Sequence, residues 1–125
     1  MPEAFQYCAL QVVPRVERGE RINAGVVLFC RRHGQFLQAR IGLDPARLRA
    51  LDPEADVDGI RGHLDALAAV AAGEGDSPVA AMEPSERFHW LAAPSSTIIQ
   101  ATPVHTGLTE NPFVTLERLF VSLVA

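Results

Sequence analysis

Read for apolar and polar positions alone, the N-terminal third of the chain is a succession of strands. Phe5 to Val13 and Ala24 to Cys30 are rich in β-branched and aromatic residues, and Gln35 to Ile41 follows the turn pair His33-Gly34. A two-residue hairpin loop at that pair sets Cys30 opposite Leu37, Leu28 opposite Ala39 and Val26 opposite Ile41. A second hairpin centred near Gly19 opposes Cys8 with Cys30, Leu10 with Leu28 and Val12 with Val26, which puts all these apolar side chains on one face. The expectation is an antiparallel three-stranded meander. Its other face carries Tyr7, Gln11, Val13, Val27, Phe29, Gln38 and Arg40, a mixture that suits partial cover or a partner surface.

Beyond the meander the period changes to that of a helix. Asp44-Pro45 has the form of an N-cap followed by proline at the first helical position, opening a short helix that stops before Pro53. A longer helix is expected from about Val57 to Ala72, with Ile60, Leu64, Leu67, Ala68 and Ala71 on one stripe and Gly73 as C-cap. Residues 73–78 are a loop by composition, and the stretch from Val79 to Trp90 is open between loop and short elements. Thr97 to Thr102 reads as a fourth strand, which Pro103 ends or confines to an edge. Asn111-Pro112 repeats the cap-then-proline signature, and Phe113, Leu116, Leu119, Phe120 and Leu123 form the stripe of a docked terminal helix. The fold class is therefore α+β, an antiparallel sheet of four or more strands with helices packed on one face.

Length and composition narrow the classes of function. The chain has 125 residues, 48% of them hydrophobic and 21% charged, enough for one α+β domain over 1–125 and too apolar for disorder. A net charge of −4 argues against a phosphate-backbone binder, so nucleic acid is not an expected partner. All eleven basic residues are arginine, a bias read as genomic composition before bidentate recognition. No basic-then-apolar leader opens the sequence and no apolar run approaches the ~18 residues of a membrane span. The expected compartment is the cytoplasm. Cys8 and Cys30 stand apart within strand-like runs and read as small buried hydrophobes of a reducing compartment. His33, His63, His89 and His105 share no ligand spacing, so neither a metal nor a cofactor is expected.

Candidate chemistry is concentrated in two polar segments. Glu20, Arg21 and Asn23 precede the second strand and can supply carboxylate, guanidinium and amide to a polar ligand at one end of the sheet. The plainer reading is that Asn23 shapes a turn, Gly25 permits a bulge and Glu20 pairs with a nearby arginine. Arg15, Arg18 and Arg21 alternate with Glu17 and Glu20, which weakens any phosphate site in that loop. Ser95 and Ser96 offer hydroxyls but lack the glycine-flanked elbow of hydrolases, and satisfy backbone groups on the plainer reading. His105 with Thr106-Gly107 closes a turn or acts as a base. Trp90 reads as a core anchor with a wet edge, and His63 as solvent-facing. The most economical site draws Arg21, Asn23, Arg40, Ser96, Gln100 and His105 to one end of the sheet.

Several of these residues together carry a resemblance. Tyr7, Glu20-x-x-Asn23-x-Gly25-Val26-Val27, Pro94-Ser95-Ser96 before Ile99-Gln100, His105-x-Gly107 and Leu116-x-x-Leu119-Phe120 resemble, in order and spacing over essentially the whole chain, the bacterial domain-of-unknown-function family 3037. The resemblance implies a small single-domain bacterial protein, several of whose relatives are encoded beside a HipA-type kinase-like protein. It implies a partner-dependent role and no particular chemistry.

Two functional classes follow. The first, favoured by the missing catalytic signature, is a non-enzymatic interaction or regulatory module acting with a protein partner or as a homodimer. The alternative is a small hydrolase or nucleotide-handling enzyme binding a small molecule at the polar cluster. They differ in geometry: an enzyme needs the polar side chains to meet in a concave pocket, a module needs an exposed apolar patch.

Overall fold

The computed structural model of the protein describes residues 1–32, 35–94 and 97–125. Strands β1 (Glu3–Val12), β2 (Ile22–Cys30) and β3 (Phe36–Ile41) form the expected antiparallel meander. Helices α1 (Pro45–Leu51), α2 (Val57–Ala72) and α3 (Pro84–Ala92) follow, then strands β4 (Ile99–Ala101) and β5 (His105–Thr109), and helix α4 (Pro112–Leu123) closes the fold. Both β4 and β5 pair antiparallel with β1, one beyond the other along its free edge, completing a five-stranded sheet. Among the described residues no helix is long and apolar enough to cross a membrane.

Local chemistry sets the helix ends. The Asp44 carboxylate accepts from the backbone N–H of Ala46 at 3.0 Å and Arg47 at 3.3 Å, ahead of Pro45. Asn111 does the same for Phe113 at 3.0 Å and Val114 at 3.3 Å, ahead of Pro112. Gly73 takes φ 73° at the end of α2, the left-handed C-cap that costs a glycine little.

Register departs from expectation in both hairpins. Across β2–β3, Cys30 faces Phe36 and Phe29 faces Leu37, one residue out of the two-residue-loop alignment. His33 and Gly34 lie outside the described residues, but the strands end at Cys30 and Phe36, and Gln35 N–H returns to Arg31 O at 3.2 Å with Gln35 at φ 54°. Across β1–β2, Cys8 faces Val27 instead of Cys30, and Leu10 faces Gly25. Beyond that pair the register shifts so that Gln11 faces Asn23, leaving Ala24 as the extra residue of a bulge. A Cβ at Gly25 would stand 3.2 Å from the backbone oxygen of Arg40 and 2.8 Å from Ile41 Cδ1, so the bulged strand and β3 leave little room for a side chain there.

Because side chains alternate along a strand, these shifts redistribute the apolar set between the two faces. Cys8, Leu10, Val12, Val27, Phe29 and Leu37 pack against α1, α2 and α3 through Leu48, Ile60, Leu64 and Phe88, with the rings of Phe29 and Phe88 stacked at 5.5 Å. Phe5, Val26, Leu28, Cys30 and Phe36 pack on the opposite face beneath Leu116, Phe120 and Val124. Thus α2 covers the sheet as expected, while α4 occupies the other side and does not share a single helical layer with it. Every residue of β2 from Ala24 to Cys30 is buried, which is what two covered faces demand.

Other departures have local causes. Phe113 is 63% exposed instead of lying in the α4 stripe, where Val124 is buried. Trp90 is 46% exposed; Phe88, two residues earlier on α3, is the core aromatic. His105, Thr106 and Gly107 begin β5 instead of closing a turn, and Gly107 is needed because the Phe5 ring lies within 2.7 Å of where its Cβ would stand. Between β4 and β5, Pro103 interrupts the ladder. Thr102 spans the gap, its Oγ1 accepting from Ala9 N–H and its own N–H donating to Ala9 O, both at 2.9 Å.

Candidate functional site

The sheet face under α4 is covered unevenly. The helix lies over β2 and β3, and beyond its edge β1 presents Tyr7, Ala9 and Gln11 at alternate positions. β5 brings His105 directly opposite Tyr7, with the rings 5.4 Å apart and tilted by 32°. Asn23 of β2 faces Gln11 from the other side. These residues, with Thr102 and Leu123, line a shallow cavity of about 160 Å³.

A chain of hydrogen bonds runs along its wall. Arg21 Nη1 donates to Gln11 Oε1 at 3.2 Å, Gln11 Nε2 donates to Asn23 Oδ1 at 2.9 Å, and Asn23 Nδ2 donates to the carbonyl of Leu123 at 3.0 Å. The last of these is one of the carbonyls that a helix C-terminus leaves without an intrahelical partner. Asn23 therefore joins the bulge in β2 to the end of α4, a structural task that occupies both ends of its amide.

The sequence-predicted residues divide accordingly. Asn23 and His105 line one cavity, with Arg21 joined to them through Gln11. Glu20 points away and pairs with Arg18 at 2.8 Å in an exposed turn. Arg40 stands on β3, where its Nε meets Glu117 Oε1 at 2.8 Å and its guanidinium lies 4.2 Å from the Phe120 ring centre, so it belongs to the α4 contact and not to the cavity. Gln100 faces Gln11 in register but donates to Thr97 O at 2.9 Å and borders a separate cleft with His63 and Trp90. Ser95 and Ser96 lie outside the described residues. Tyr7 and Gln11 were absent from the predicted set. The signal that finds them is their alternation on the polar face of β1.

A larger cavity, about 510 Å³, lies at the other end of the sheet between Glu3, Phe5, Phe29, Arg31, Arg32 and Thr106, and holds none of the predicted residues. Neither cysteine is placed for nucleophilic work. Burial pushes the Cys8 thiol up to about 11, and Cys30 is fully buried on the opposite face with its sulfur 3.6 Å from Ala4 O. Among the described residues, no three His, Cys, Asp or Glu side chains gather as a metal site would require.

The outer surface of α4 has a different character. Its inner stripe is buried on the sheet, yet Phe113, Val114 and Val121 remain 63%, 60% and 62% exposed.

Comparison with known proteins gives a family alone. The model of a family described as "Protein of unknown function (DUF3037)" matches residues 7–124. No curated protein and no solved structure matches the chain.

Proposed function

The chain belongs to the DUF3037 family, and from the surface it presents we propose that it is a non-enzymatic interaction module whose contact surface is the outer face of α4. One observation carries this reading: a helix already docked by one stripe leaves the apolar side chains Val114 and Val121 in solvent on its other side, with Phe113 exposed at its margin where its ring edge meets Phe36. Exposed apolar area of this kind is stabilised by a partner. The polar cluster supports the same reading from the other direction, because the Arg21, Gln11 and Asn23 side chains are engaged with one another and with the main chain. The partner is a protein, with a HipA-type kinase-like protein as one candidate and a second copy of the chain as another; the role is regulatory and requires no cofactor.

Affinity capture from the source cells tests this, with wild-type bait beside Val114→Glu/Val121→Glu. A stoichiometric protein retained by the first and lost by the second supports the proposal. Equal retention by both removes α4 as the contact surface.

The second reading, a small hydrolase or nucleotide-handling enzyme, draws on the cavity that Tyr7, Asn23 and His105 share. Its volume of about 160 Å³ is small beside the roughly 300–1,000 Å³ of ordinary ligand pockets. A thermal-shift screen against nucleotides is its test, and a ligand whose stabilisation disappears in His105→Ala would favour it.

A further inference from the structure

The cavity of about 510 Å³ at the far end of the sheet differs from the Tyr7–His105 cavity in the state of its polar groups. Around the smaller cavity, Arg21, Gln11 and Asn23 bond to one another and to the main chain. Around the larger one stand Gln6 of β1, Thr106 of β5, and Arg31 and Arg32 just past the end of β2. Among the described residues, none of these four side chains enters a hydrogen bond or an ion pair. Strand pairing sets them together, because Gln6 faces Phe29 across β1 and β2 and Thr106 across β1 and β5. Arg31 keeps its guanidinium 5.6 Å from the centre of the Phe29 ring, a contact that orients the group and leaves its N–H donors unspent. Buried Phe5 and Phe29 supply apolar lining. Glu3 brings the one carboxyl group among the described lining residues; its Oε2 accepts from Cys30 Sγ at 3.8 Å, and Cys30 belongs to the core beneath α4, so this carboxylate is drawn toward the opposite face of the sheet from Phe29.

We propose that this cavity binds a small organic oxyanion, a carboxylate or phosphate monoester carried on an apolar body. Two guanidiniums supply the positive charge and the forked N–H donors that carboxylate and phosphate oxygens fit. The Gln6 amide and the Thr106 hydroxyl serve the remaining polar edge of the ligand, and the phenylalanines take its apolar part. The volume of about 510 Å³ falls within the roughly 300–1,000 Å³ of ordinary ligand pockets. A chain of net charge −4 holds an anion only where cations are locally in excess, and Arg31 and Arg32 make such a place. The site shares no residue with the outer face of α4 and stands independently of the interaction-module reading.

Titration of the ¹⁵N-labelled full chain with phenyl phosphate, benzoate and inorganic phosphate, followed through its backbone amide signals, tests the site. Phenyl phosphate or benzoate is expected to shift Gln6, Arg31 and Thr106 saturably below about 10 mM, the tighter of the two identifying the headgroup. Inorganic phosphate should bind at least about tenfold more weakly than the tighter organic anion, because it leaves the apolar lining in water. Arg31→Gln/Arg32→Gln should weaken the organic anion at least about tenfold. Arg15→Gln/Arg49→Gln removes two positive charges elsewhere and should leave affinity within about twofold. All four arginines are exposed, and the amide spectrum of each variant verifies its fold. Absence of a saturable shift with either organic anion up to about 10 mM overturns the inference. So does equal affinity for inorganic phosphate, which marks an adventitious ion only, or an equal loss in the two double variants, which marks general attraction of charge. Should Arg31→Gln/Arg32→Gln fail to fold, the wild-type titration decides alone: ring-current shifts centred on Gln6, Arg31 and Thr106 support the site, and shifts centred elsewhere overturn it.

Discussion

Substituting Asn23 separates a structural role from a ligand-binding one. Its Oδ1 accepts from Gln11 at 2.9 Å and its Nδ2 donates to Leu123 O at 3.0 Å, and the residue is half-buried. Removing the amide in Asn23→Ala deletes two hydrogen bonds, each contributing about 0.5–1.5 kcal/mol net, and leaves a helix-terminal carbonyl to find water; the expected cost is about 1–3 kcal/mol. For a chain of 125 residues, at about 2.1 cal/mol/K of unfolding entropy per residue, that lowers Tm by roughly 4–12 °C. Asn23→Asp sharpens the test. The donor becomes a carboxylate aimed at a carbonyl oxygen and at the negative end of the α4 dipole, both of which disfavour the ionised form and raise its folded pKa above about 3.9. A raised carboxyl pKa stabilises the fold below the unfolded value and withdraws that stability as pH climbs through the folded value. Asn23→Asp should therefore approach wild type near pH 3.5 and be less stable than Asn23→Ala at pH 7. Thermal melts by circular dichroism at the two pH values decide it. A Tm for Asn23→Ala within about 1 °C of wild type would refute the clamp between β2 and α4.

Three further outcomes follow from the packing. Arg87 joins α3 to the end of α2, donating from Nη2 to Ala71 O at 3.3 Å and from Nη1 to Met82 O at 2.7 Å; Arg87→Ala should cost about 2–4 kcal/mol in a urea titration, and Arg87→Lys should recover less than half because one ammonium cannot reach both carbonyls. Thr102→Val keeps the shape but removes the acceptor for Ala9 N–H, and should cost about 1–3 kcal/mol by chemical denaturation, against under 1 kcal/mol for Thr102→Ser. The Cys8 thiol, pushed from 9.0 to about 11 by burial, stays protonated in the fold where the unfolded chain ionises; stability attributable to it is complete below pH 9 and falls between 9 and 11. Stability measured over that pH range should decline less in Cys8→Ala than in wild type.

The helices were readable because their signals are local. Asp44-Pro45, Asn111-Pro112 and Gly73 each act on backbone groups within a turn, and the structure uses all three as caps. Register was not readable, for a reason that β2 makes plain. Its run from Ala24 to Cys30 is apolar throughout, since α4 covers one face and α2 and α3 the other, and an uninterrupted apolar run carries no alternation to set a phase. Matching Cys8 to Cys30 fitted the pattern and was three residues out. β5 was hidden by Gly107, which resembles a turn signal and instead admits the Phe5 ring. α3 buries only Phe88 and Leu91, too few positions to announce a stripe. Within the site, Asn23 and His105 were visible as unusual residue types, whereas their meeting through Tyr7 and Gln11 depends on the pairing of β1 with both β2 and β5, which only the folded sheet supplies.

The central claim is that this protein works through the outer face of α4 and not through its polar cluster. It is tested most directly by capture from the source cells with three baits side by side: wild type, Val114→Glu/Val121→Glu, and Asn23→Ala/His105→Ala, each checked for folding. The account predicts a stoichiometric protein on the first and third baits and its loss from the second. Loss from the third bait with retention on the second would contradict it and place the working surface at the Tyr7–His105 cavity.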